Sequence, residues 1–179
     1  MDDKYLGDSY DLVKRFFWQE LREIAPLYAD PRFVPKQIRA KFSLITKIPM
    51  LTEVPSGSDF GLLLDPDTGI KAPGCSCSKG NKKHVSLEQI VEYLKQPPTP
   101  KYIVCFDQNH HRKSVLSPQK QRACKMKFLR EKEGLHSFYY ASHAPFLFVT
   151  PQEDTLRLIR ERLSKAGIPL CKIQTYEPS

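Results

Sequence analysis

Proline sets the outer limits of what this chain can build. Fifteen prolines stand in 179 residues, and they fall between periodic segments rather than gathering in one linker. Each one removes a backbone donor and discourages helix in the residue before it, so the elements must be short. Between those stops the periodicity is readable. Tyr10, Val13, Phe17, Leu21 and Ile24 recur at helical spacing, with Asp8 as a cap and Pro26 as the stop. A second helix is predicted from Pro35, carrying Ile38, Phe42 and Ile45. Residues 1–47 therefore read as a helical N-terminal layer.

The remainder, 48–179, reads as an α/β core, with the two segments expected to form one cooperative domain. Strands are predicted over 48–54 and 59–64, separated from a third at 101–106 by an aperiodic loop and a helix. Ser86 with Gln89 three residues on is a capping box for that helix. Ser117-Pro118 opens another, which Gly134 ends. Strands at 136–141 and 146–149 follow. Thr150-Pro151-Gln152-Glu153 reads as a second capping box, and 168–176 as a last strand. The fold class is α+β, a mixed β-sheet with packed helices. The order strand, helix, strand, strand, helix, strand over 101–176 offers a ferredoxin-like C-terminal half as the alternative.

Lys and Arg number 28 against 20 acids, a formal charge of +8, which favours a polyanionic partner. No apolar run is long enough to cross a membrane, so no membrane insertion is expected. The first residues show no secretory pattern, and five cysteines without one read as reduced thiols of a cytoplasmic protein. The densest polar cluster follows the 101–106 strand. Asp107 offers a proton acceptor or a cation ligand, and His110 and His111 titrate near neutrality. Arg112 matches phosphate geometry, Lys113 adds charge, and Asn109 and Ser114 complete a set able to hold a nucleotide. From Arg112 to Lys132 stand eight bases and one acid. Lys120, Arg122, Lys125, Lys127 and Arg130 are accordingly the expected nucleic-acid contacts.

The stretch Leu87 to Arg112, LEQIVEYLKQPPTPKYIVCFDQNHHR, resembles the core of the ParB/sulfiredoxin-like superfamily. In that superfamily a helix, an extended segment and a strand lead to a phosphate-binding or nucleic-acid-processing motif at a helix start. The resemblance covers about 30 of the 179 residues. It implies catalytic positions at Asp107, His111 and Arg112, and a DNase or ATPase that uses ATP and Mg2+. Some plasmid fertility-inhibition proteins resemble this superfamily, which implies DNA and a protein of a DNA-transfer apparatus as partners. On the alternative fold, Asp107 ending its strand looks like the arrangement in Cas2-type metal-dependent nucleases. A non-enzymatic nucleic-acid-binding or protein-interaction module is the third reading.

Other groups point to chemistry less strongly. Cys75, Cys77 and His84 are metal-capable but lack zinc spacing, and no metal ligands are assigned. Asp59, Asp65 and Asp67 read as turn chemistry rather than as a carboxylate cluster with Asp107. Phe138 and Tyr140 read as core, and His136 and His143 as structural strand-end histidines.

Overall fold

The computed structural model describes residues 6–53, 55, 59–71, 84–108 and 116–176. A six-stranded mixed sheet is built from β1 (Leu27–Ala29), β2 (Gly61–Leu64), β5 (Tyr102–Phe106), β6 (His136–Tyr140), β7 (Phe146–Thr150) and β8 (Ile173–Thr175). The strand order is β1-β2-β5-β7-β6-β8. β1, β2 and β5 run parallel, whereas β7 and β6 add antiparallel, as does β8 on β6. A small parallel pair, β3 (Gly69–Ile70) with β4 (His84–Val85), stands beside the main sheet.

The helices are α1 (Ser9–Leu21), α2 (Arg39–Thr46), α3 (Leu87–Lys95), α4 (Pro118–Glu133) and α5 (Glu153–Lys165). They divide between the two faces of the sheet. Alternation along β5 sends Tyr102, Val104 and Phe106 into a cluster shared with α1, α2 and α5. Ile103 and Cys105 enter the opposite cluster, with α3 and α4. Burial on both faces is why β5 and β7 read as unbroken apolar runs. Phe17 of α1 meets Phe146 and Phe148 edge-on, each with ring centroids 5.1 Å apart. The N-terminal helix is thus packed into the same core as the central strands.

Several expectations are corrected. The 1–47 segment is not wholly helical, because Leu27–Ala29 leaves it to form the edge strand β1. Among the described residues of 48–54 there is no strand; only Met50 bridges to Ala29. Pro49 and Pro55 bracket this stretch and remove ladder donors. The second capping box does not form. Thr150 Oγ1 donates to the Lys101 carbonyl at 2.8 Å, and α5 starts at Glu153 with no side-chain cap. The C-terminal half is not ferredoxin-like: β8 lies outside β6 at the far edge, and β2 takes the place beside β5.

One glycine is required by a close approach. Gly61 lies opposite Tyr102, whose buried ring crosses over it so that the hydroxyl donates to the Ala25 carbonyl at 2.8 Å. A Cβ at position 61 would fall 2.3 Å from that ring. Gly61→Ala is expected to destabilise the fold by about 1–3 kcal/mol through overpacking. In a Tyr102→Leu background the same change should cost clearly less, as read from urea unfolding of the four variants. Equal costs in both backgrounds would separate Gly61 from Tyr102.

Candidate functional site at the carboxyl edge of the parallel strands

Each of the three parallel strands of the main sheet is followed at once by an aspartate: Asp30 after β1, Asp65 after β2 and Asp107 after β5. All three are buried. Open sheets with parallel strands take ligands outside the carboxyl ends of those strands, so this edge is where a site is sought.

Asp107 is 3% exposed and thoroughly bonded. Its carboxylate accepts from the Ile70 backbone N–H at 2.8 Å, Lys125 Nζ at 2.7 Å and the Tyr139 hydroxyl at 2.6 Å. Lys125 also donates to the Ile70 carbonyl at 2.8 Å. Burial, reinforced by the Asp107 charge, pushes the Tyr139 hydroxyl and the Cys105 thiol well above their ordinary ranges. Both stay protonated at neutral pH. Asp107 therefore joins the frame of the sheet, and its carboxylate is directed inward.

Asp65 meets a different lysine. Lys14 of α1 donates to it at 2.7 Å and to Asp11 at 3.0 Å, and Asp11 also accepts from the Gly7 N–H at 2.8 Å. Burial pushes the Asp65 carboxyl up against the pull of Lys14. For Lys14, burial alone would lower the ammonium's pKa. The carboxylates of Asp65 and Asp11 outweigh it and hold the group above its ordinary value. Asp30 is bonded to Arg32 Nε at 3.1 Å and to the Tyr93 hydroxyl.

Above the end of β5 lies a solvent-facing group that charge counting does not reveal. Gln108 donates to the Tyr10 hydroxyl at 3.1 Å, and the Tyr10 ring sits 5.5 Å from Phe106 and 5.7 Å from His143. Ser9 Oγ lies 3.4 Å from His143 Nε2. These contacts bring the start of α1 to the strand ends. The start of α3 is close to the same edge, since it follows β4, whose partner β3 is bonded to Asp107. Lys125 is about two turns into α4, and the first turn of that helix is tied to β8, where Gln174 donates to the Gln119 carbonyl at 2.9 Å.

Of the expected site residues that are described, Asp107 and Lys125 are brought together at 2.7 Å. Asn109, His110, His111, Arg112, Lys113 and Ser114 lie outside the described residues, as do Cys75 and Cys77. The basic helix is not one solvated face. Lys125 is 2% exposed, because it shares the inward stripe with Met126 and Leu129. Arg122 bonds Gln174 at 2.8 Å, and Arg130 lies 2.9 Å from His136. Lys120 and Lys127 are exposed, Lys127 at 3.9 Å from Glu131. Asp59 precedes β2 and pairs with Lys101 at 2.6 Å, at the opposite end of the strand from Asp65. Among the described residues, no three His, Cys, Asp or Glu side chains assemble at metal-binding distance. What the sequence reading missed is the recurrence: Leu-Tyr-Ala-Asp, Leu-Leu-Leu-Asp and Val-Cys-Phe-Asp each end an apolar run on an aspartate.

No family model, curated protein or solved structure matches this chain, so this edge is read from its chemistry alone. Lys125→Met removes the buried ammonium that donates to Asp107 at 2.7 Å, and is expected to cost about 3–5 kcal/mol in urea unfolding. Lys120→Met on the surface should stay within about 0.5 kcal/mol. Asp65 gives a pH signature of definite sign. Its folded-state pKa lies above the unfolded value, so its contribution to stability is greatest in acid and declines as pH rises through the ordinary carboxylate range. Asp65→Asn removes that decline. The variant's stability minus the wild type's should grow more positive from about pH 4 to about pH 7. A difference that stays flat with pH would show that Asp65 ionises alike in both states.

Proposed function

We propose that the protein binds nucleic acid through phosphate contacts at the carboxyl edge of β1, β2 and β5. One observation carries this reading: each strand-end aspartate is already bonded to its own cation, Arg32, Lys14 or Lys125. The edge therefore offers little bare carboxylate to repel a polyanion. The exposed Lys120 belongs to the first turns of α4, and by sequence Arg112 and Lys113 lead into that helix. A surplus of eight positive charges supplies the long-range attraction.

The phosphohydrolase reading, a DNase or ATPase with ATP and Mg2+, follows from the family resemblance and assigns acid–base work to His111 and phosphate contact to Arg112. Asp107 in that reading is a positioning residue rather than the base, because its carboxylate is committed to Ile70, Lys125 and Tyr139.

The test is retention of single- and double-stranded DNA as salt rises from about 50 to about 200 mM, together with ATP and DNA hydrolysis with and without Mg2+. Wild type should bind with a steep salt dependence. Lys120→Glu combined with Arg112→Glu should weaken binding at every salt concentration and flatten the slope. Salt-independent retention, or a double variant that binds as wild type does, would overturn the proposal. Turnover that disappears in His111→Ala while DNA retention persists would add the enzymatic reading to it.

A further inference from the structure

Beside α3, on the face of the sheet that α4 also covers, a cavity of about 310 Å3 opens against β2. Its lining includes the buried Phe60, Leu62 and Pro100, Glu92 and Tyr93 of α3, and the exposed side chain of Arg32. The volume is at the lower end of small-molecule sites, enough for one ring system and too little for a folded peptide.

The rim is preorganised. The Arg32 guanidinium lies 4.8 Å from the centroid of the Tyr93 ring. Its Nε and one terminal nitrogen each reach Asp30 at 3.1 Å, and the Tyr93 hydroxyl donates to the same carboxylate. A flat cation is thereby fixed on a flat ring, both anchored to one buried group, so little side-chain freedom remains to be lost when a ligand arrives. Guanidinium and aromatic planes are the surfaces on which unpaired bases stack. Glu92, exposed and one residue before Tyr93, carries only acceptors, which suits an exocyclic amine. Gln89 and Gln96 add amides able to donate or accept, so the preference for an amine rests on Glu92; with one carboxylate and one cation already paired to Asp30, the lining favours an uncharged ring over a phosphate.

We propose that this cavity receives a single amino-bearing nucleobase, cytosine or adenine in preference to uracil. The cavity shares Arg32 and its partner Asp30 with the strand-end edge and otherwise uses separate residues, so uncharged nucleosides test it apart from the phosphate-binding reading. The experiment titrates the full chain with cytidine, adenosine and uridine, which carry no phosphate, and follows amide chemical shifts and heats of binding. Cytidine and adenosine should bind, and uridine several-fold more weakly. Tyr93→Leu should lower cytidine affinity about tenfold. Glu92→Gln, an exposed change compatible with the fold, should bring cytidine and uridine to parity. Should Tyr93→Leu fail to fold, the Glu92→Gln comparison decides. Absence of binding by all three nucleosides overturns the proposal, as does equal affinity for cytidine and uridine in wild type or a preference that survives in Glu92→Gln. Loss of nucleoside binding with salt-dependent DNA retention intact would overturn this proposal and leave the strand-end reading standing.

Discussion

The carboxylate of Asp107 is the point at which separate parts of this fold are held to one another. It ends β5, receives the backbone of β3, pairs with a lysine from α4 and accepts the hydroxyl of a tyrosine from β6. A two-residue strand such as Gly69–Ile70 cannot be buried unless its polar backbone finds partners. Ile70 meets that requirement through this one network, its N–H on Asp107 and its carbonyl on Lys125. The charge on Asp107 strengthens each bond, and the same low-dielectric setting makes loss of any one partner expensive. A buried ion pair contributes little to net stability compared with an apolar replacement of the same shape. Its value here is geometric: apolar contacts alone leave β3 free to slide along the end of β5, whereas two directed hydrogen bonds on Ile70 do not.

Asp65 repeats the device from the other side of the sheet. Lys14 arrives from α1 on one face, and Lys125 from α4 on the other. Neighbouring strand ends are thus clamped from opposite layers, which fixes both helices relative to the sheet edge they overhang. The Asp65 cluster sets two carboxylates, Asp65 and Asp11, on one ammonium. Burial of Asp65 itself drives its carboxyl upward, with a smaller push from the Asp11 charge, so its contribution to stability is greatest in acid.

The helices were largely legible in the sequence because their signals are local. The capping box of Ser86 and Gln89 forms as expected, and so do the Ser117 cap and the Gly134 stop of α4. β1 was not legible, since three residues between Pro26 and Asp30 are too few to show a period. Strand order was hidden for a different reason: periodicity gives the elements but not their neighbours, and β8 pairs with β6 where a ferredoxin-like unit would place it beside β5. At the site, Asp107 could be recognised as a strand-end aspartate. Its occupancy could not, because Ile70 is 37 residues away in sequence and Tyr139 is 32. Charge counting failed for Lys125 in an instructive way. A lysine adds the same unit to a tally whether it faces water or a buried aspartate, and only its helical phase with Met126 and Leu129 tells the two apart.

That distinction separates the three strand-end aspartates as well. The side chains of Lys14 and Lys125 are 4% and 3% exposed, whereas the side chain of Arg32, which neutralises Asp30, is 57% exposed. A cation enclosed with its carboxylate has no face left for a ligand, and its work is to hold the frame. Asp30 lies at the end of the outermost parallel strand, and its partner Arg32 stacks on Tyr93 and lines the cavity beside α3. The same pairing of aspartate with cation therefore serves rigidity at the centre of the sheet and leaves an ordered, accessible cation at its edge. Enclosure decides which role each pair takes, and enclosure follows from the position of the strand in the sheet.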